Sequence, residues 1–113
     1  ALAEAQVHGG MSMGLGYALS EELLFDKNGR PLNDNLLDYK LPTSMDTPDL
    51  HVQFVELDDP TGPFGNKALG EPPAIPVAPA IRNAVLNATG VAVDSLPLDP
   101  QKLVAHFKAA ELI

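Results

Sequence analysis

Residues 5–25, AQVHGGMSMGLGYALSEELLF, set the periodicity problem on which the fold turns. Val7, Met11, Leu15, Ala18, Leu19 and Leu23 recur three and four apart, the period of one buried helical stripe. Gly9, Gly10, Gly14 and Gly16 interrupt the stripe, and four helical glycines cost roughly 4 kcal/mol against alanine. Gly10 and Gly14 lie one turn apart on one face, where a missing Cβ lets a neighbour approach closely. Two occupants fit that face: another element packed tightly, or a ligand laid against bare backbone.

Working outward, FDKNGRPLNDN (residues 25–35) holds Asn28-Gly29, a strong two-residue turn signal that predicts a short hairpin or tight turn. LLDYKLPTSMDTPDL (36–50) reads as a proline-punctuated extended segment, and HVQFVEL (51–57) as a strand of β-branched and aromatic residues. DDPTGPFG (58–65) is a loop. Pro76 and Pro79 are tolerated in a first turn, so a second helix begins between residues 74 and 79. Val77, Ile81, Ala84, Val85 and Ala88 form its apolar stripe, and Gly90 stops it. VAVDSLPL leads, as a short strand or extended link, to a last helix capped by Asp99 and opened by Pro100, with Leu103, Phe107 and Ala110 on its buried face. The expected class is α+β, helices packed on a small sheet.

Composition narrows the function. An apolar fraction of 45% supports a folded chain, and a formal charge of −8 argues against a nucleic-acid backbone or an anionic membrane as partner. No apolar run reaches the roughly 20 residues that cross a bilayer. Without cysteine, the 113 residues cannot supply the thiolates of an iron–sulfur cluster. Eleven prolines and nine glycines are a large share for a free domain, and with the ALAEAQV opening they predict a piece of something larger.

Few side chains are placed for chemistry. His8, His51 and His106 have no ligand-like spacing, so no metal site is expected from side chains here. The serines lack an elbow motif or an adjacent base, and Glu21, Glu22, Asp58 and Asp59 read as solvated surface charges. Glu71 differs. In GNKALGEPPAIP (65–76) it lies between Gly70 and the ring-locked Pro72 and Pro73, on a stiff, non-helical stretch. A rigidly placed carboxylate suits a general base, although on its surroundings alone a structural or capping role ranks ahead of catalysis. Lys67 is close enough in sequence to pair with it or to bind an anion.

The same stretch, NKALGEPP (66–73), resembles the final motif of the molybdenum hydroxylases, the xanthine dehydrogenase and aldehyde oxidase family. QVHGGMSMGLGYALSEE (6–22) is similar to that family's glutamine-led, glycine-rich helix, and LLDYKLPTSMDTP (36–48) to its Tyr-Lys-hydrophobic-Pro-Thr stretch. LPLDPQKL (96–103) resembles its C-terminal ending. The resemblance covers essentially the whole chain and implies that residues 1–113 are the C-terminal fragment of a larger molybdopterin-binding domain. It implies that Glu71 is the general base for hydroxylation of an electron-poor carbon by water. It also implies that Gln6 hydrogen-bonds the pterin, that Gly9 and Gly10 expose backbone near it, and that Ala68, Leu69 and Gly70 lie beside molybdenum and pterin. The cofactor implied is a molybdenum-pterin (molybdopterin or its dinucleotide form). The implied [2Fe-2S] clusters and FAD reside on partner domains or subunits, and the rest of the molybdenum-binding subunit is the closest partner. A small-molecule substrate, a cytoplasmic location and inactivity of the 113 residues alone complete the expectation. Two positions depart from the pattern: His8 stands where the family has glutamate, and Met13 where glutamine precedes Gly-Leu-Gly. They motivate the alternative of a non-catalytic assembly or binding fragment that keeps the fold without the cofactor.

Overall fold

Three helices carry the regular structure of the computed structural model, which describes residues 1–113: α1 (Leu2–Leu19), α2 (Val77–Thr89) and α3 (Pro100–Ala109). A single 3-10 turn, Pro63–Gly65, interrupts the long connection between α1 and α2. The ends of α2 and α3 obey local chemistry. Gly90 closes α2 in the left-handed conformation (φ 73°), its N–H on the Leu86 carbonyl at 2.8 Å. Asp99 caps α3 by accepting from the N–H groups of Gln101 and Lys102, with Pro100 in the first turn.

Helix α1 stops at Leu19, short of the expected Phe25. Ser20 leaves helical dihedrals (φ −141°, ψ −26°), and its Oγ donates to the Lys40 carbonyl at 2.9 Å. The buried Asn33 then holds the departing chain: its Oδ1 accepts from the Leu24 N–H and its Nδ2 donates to the Glu22 carbonyl, both at 2.7 Å. The Asn28-Gly29 turn forms as expected, with Gly29 at φ 78° and one antiparallel bridge between Phe25 and Pro31.

That bridge is the only β structure, so the small sheet of the expected α+β class is not seen: the chain is mostly helical with long irregular connections. The 51–57 segment has strand composition but makes no backbone hydrogen bond within the chain. A strand exists only where a second edge takes its N–H and C=O groups, and none is present.

The α1–α2 seam resolves the glycine question. A Cβ on Gly10 would stand 2.7 Å from Pro73 Cβ, and one on Gly14 would stand 2.5 Å from Val77 Cβ. Real Cβ atoms do not come so close, so the two glycines are what lets the start of α2 lie on α1. Gly10, Gly14, Gly16 and Ala18 are the buried residues of α1, so of its apolar stripe only Ala18 is fully covered. No other pair of helices packs together. The small core continues into Ala78, Val93 and Leu98, and the Leu98 N–H donates to the Ala18 carbonyl at 2.6 Å. Lys102 ties α3 back to the end of α1 through Glu22 Oε1 at 3.0 Å and the Leu96 carbonyl at 3.3 Å. Glu22 is thus an ion-pair partner rather than a solvated charge.

Elsewhere the chain spreads. Its radius of gyration is 17.6 Å, against about 13 Å for a compact domain of this length. Its accessible surface is 8616 Å², against about 6,000 Å² for a compact protein of this mass.

Candidate active site around Glu71

Glu71 opens a turn, its carbonyl accepting from the Ala74 N–H at 3.0 Å, and the turn delivers the chain into α2. Pro72 in the second position suits its fixed φ. The side chain is exposed, and no hydrogen bond or ion pair within the chain reaches its carboxylate. Lys67 does not pair with it, lying instead 3.9 Å from Asp59 Oδ2. Asp59 is likewise more than a solvated charge, accepting from the Thr61 N–H and hydroxyl at 2.9 and 2.7 Å. These bonds, the backbone one first, hold its carboxyl below the usual value.

The sequence-selected residues converge unequally. Gln6, Gly9, Gly10, Gly70 and Glu71 line one hollow of about 460 Å³ between α1 and the Glu71 turn. Gln6 reaches across it, its Nε2 donating to the Gly70 carbonyl at 3.2 Å. A Cβ added at Gly9 or Gly70 would meet nothing within 4 Å, so both present open backbone to solvent. Gly10 is buried under Pro73 and serves packing first. Ala68 and Leu69 fall outside this hollow and line a separate one with Phe54 to Asp58.

Met13 was missed as a site residue, although it lines the same hollow. Helical spacing could have found it, since 6, 9, 10 and 13 share one face. Beyond Met13 a larger hollow of about 740 Å³ opens, mostly apolar, with Tyr17, Ile75 and Arg82 among its walls. Glu71 lines both hollows and therefore stands on the ridge between them. The Arg82 guanidinium is engaged, Nε donating to the Val93 carbonyl at 2.9 Å. No three His, Asp or Glu side chains cluster in a way that could hold a metal ion. The small hollow offers bare backbone at Gly9 and Gly70, an amide from Gln6, and no bulky apolar side chain except Met13.

The site is a shallow, open hollow on a glycine-seamed helix pair rather than an enclosed pocket. Residues 1–48 match the molybdopterin cofactor-binding domain. The chain is 58% identical over 113 residues to the xanthine dehydrogenase molybdenum-binding subunit of Escherichia coli O157:H7, a match covering 99% of the chain and 15% of that protein. Its structure is similar to quinoline 2-oxidoreductase from Pseudomonas putida 86 (TM-score 0.84, 30% identity, 93% of this chain, 14% of that one). It is also similar to reconstituted CO dehydrogenase from Oligotropha carboxidovorans (TM-score 0.88, 28% identity, 98% and 14%). The chain belongs to the xanthine dehydrogenase and aldehyde oxidase family of molybdenum hydroxylases. It spans about one seventh of the length of these relatives. No helix is long and apolar enough to cross a membrane.

Proposed function

We propose that the chain forms one wall of a molybdopterin site in a hydroxylase and supplies its general base, Glu71. The observation that carries this is the shared hollow: the uncommitted Glu71 carboxylate stands beside the open backbone of Gly9 and Gly70 and the Gln6 amide. Gln6, Gly9, Gly10 and Gly70 are the residues that would hold the pterin edge, Gln6 by hydrogen bond and the glycines by close approach. When bound, the cofactor supplies the two-electron redox centre that oxidises the substrate carbon. Glu71 accepts, at a carboxylate oxygen, the proton released as oxygen from water is delivered to an electron-poor carbon. The clamped turn keeps that oxygen at a set reach. Ala68 and Leu69, which precede Gly70 and line the neighbouring hollow, would lie beside the molybdenum and pterin through their backbone.

The rest of a molybdenum-binding subunit completes the site, and iron–sulfur and flavin subunits or domains carry the electrons away, in the cytoplasm. The 113 residues alone are inactive on this reading. The test is Glu71→Gln in the assembled enzyme that contains this chain. Turnover should fall by roughly 10²–10⁴-fold with molybdenum content unchanged, because an amide cannot take the proton. An undiminished rate would eliminate the assigned role.

A second reading, a fold that has lost its cofactor, draws on His8, whose Nε2 is buried without a partner where the family has glutamate. Molybdenum and pterin analysis of the purified assembly separates the two, since stoichiometric metal contradicts the second.

A further inference from the structure

The hydrogen bond from Gln6 Nε2 to the Gly70 carbonyl, 3.2 Å across 64 residues, is the single side-chain bond that joins α1 to the Glu71 turn. Its position matters more than its strength. Between Lys67 and Pro73 the only backbone hydrogen bond is that of the Glu71 carbonyl with the Ala74 N–H. The C-terminal side of Glu71 is therefore held by that bond, by two proline rings and by the start of α2. The N-terminal side has nothing comparable. Gly70 carries no side chain, and the space where its Cβ would stand is open. The Gly70–Glu71 peptide is one rigid plane that ends at the Glu71 Cα, so the direction of the Glu71 Cα–Cβ bond is fixed only when this plane and the one that follows are both held. Gln6 grips the carbonyl of the first plane. Both carbonyls that flank the Glu71 Cα are then occupied while its carboxylate has no partner.

We propose that Gln6 is a positioning residue for Glu71: its amide N–H holds the Gly70–Glu71 peptide plane and so helps fix the direction in which the Glu71 side chain leaves the backbone. This adds a task to the pterin contact assigned to Gln6, and rests on the reading of Glu71 as the base. The two tasks use different atoms. Nε2 is committed to Gly70, whereas Oε1 has no partner within the chain and remains an acceptor for a ligand in the hollow. A ligand bound at Oε1 would stiffen the side chain that holds the base, so occupancy and carboxylate orientation are linked through one residue.

The test compares Gln6→Met, which removes both functions, with Gln6→Glu, which keeps an acceptor and removes the donor. Gln6 is exposed, so neither change disturbs the core. In the assembled enzyme both variants should lower kcat by roughly 10- to 100-fold with KM changed less than about twofold, the signature of a misplaced group rather than a lost substrate contact. Gln6→Glu should retain its molybdenum and pterin. Amide hydrogen exchange at Ala74, the hydrogen-bonded amide of the Glu71 turn, followed in loaded and cofactor-free protein, should accelerate in both variants. Unchanged exchange together with a loss of pterin matching the loss of activity would make Gln6 a cofactor contact alone and overturn the proposal. An unchanged kcat in Gln6→Glu would overturn it too. Full turnover in Glu71→Gln would instead remove the base reading, and with it the catalytic half of the proposal, while the exchange data still reported the tether.

Discussion

The α1–α2 seam and the connection from Asp34 to Leu69 use glycine and proline to opposite ends. At the seam, Gly10 and Gly14 omit side chains so that Pro73 and Val77 come into contact, and the gain is a fixed helix pair. In the connection, Pro42, Pro48, Pro60 and Pro63 punctuate a chain whose backbone hydrogen bonds stay within local turns. Leu36, Leu37, Met45 and Val55 stay largely exposed there, and Phe64 wholly so, on left-handed backbone (φ 54°). The frame around Glu71 is held by contacts inside the chain. The connection is held by local turns, and its apolar side chains have nothing here to bury against.

That contrast is open to attack at several points. The largest effect after loss of the base belongs to Gly14→Ala, whose Cβ would overlap Val77 and cost about 1–3 kcal/mol, less roughly 1 kcal/mol of helix propensity. Gly9→Ala should go the other way, gaining up to about 1 kcal/mol in cofactor-free protein while lowering pterin retention, because its Cβ enters the hollow. Denaturation midpoints and molybdenum content measure both, and equal responses from the two glycines would erase the distinction between a closed and an open face. Lys102→Met, which unties α3 from Glu22, should lose about 0.2–1 kcal/mol, and the deficit should shrink in about 1 M salt. A deficit indifferent to salt would assign the tie to packing.

The smallest effect lies in the connection. The Thr43 hydroxyl, and then its N–H, hold Asp46 below its ordinary value of 3.8, as Thr61 holds Asp59. A carboxylate lowered in the folded state contributes stability that is complete above its unfolded pKa and disappears as pH falls through the folded one. Acidification below 3.8 should therefore loosen these two turns and leave the seam intact, a difference that residue-resolved NMR titration would follow. Thr43→Val should return Asp46 toward its ordinary value, and an unmoved titration would show that another group depresses it.

What the sequence revealed follows the range of the interactions involved. The Asp99-Pro100 start of α3, the Gly90 stop of α2 and the Asn28-Gly29 turn are fixed by neighbours within four residues, and each is read directly. The end of α1 is not, because the apolar period runs on through Leu23 and the interruption comes from Lys40 and Asn33. The 51–57 strand was legible as composition, yet a strand is a relation between two edges and the second is absent. At the site, the constraint on Glu71 is written in its own Gly and Pro neighbours. Its tether to Gln6 is not, and only folding discloses it.

The seam has one more consequence. Glu71 hangs from a turn whose far end is seated on α1 by the vacancy of two methyl groups, so the placement of its oxygens is gauged by atoms that do not exist. Substitutions that fill those vacancies would shift the acid bodily, like a shim slipped under an instrument. Separation from the reacting atoms will then be a poor guide to which replacements silence an enzyme built on this frame.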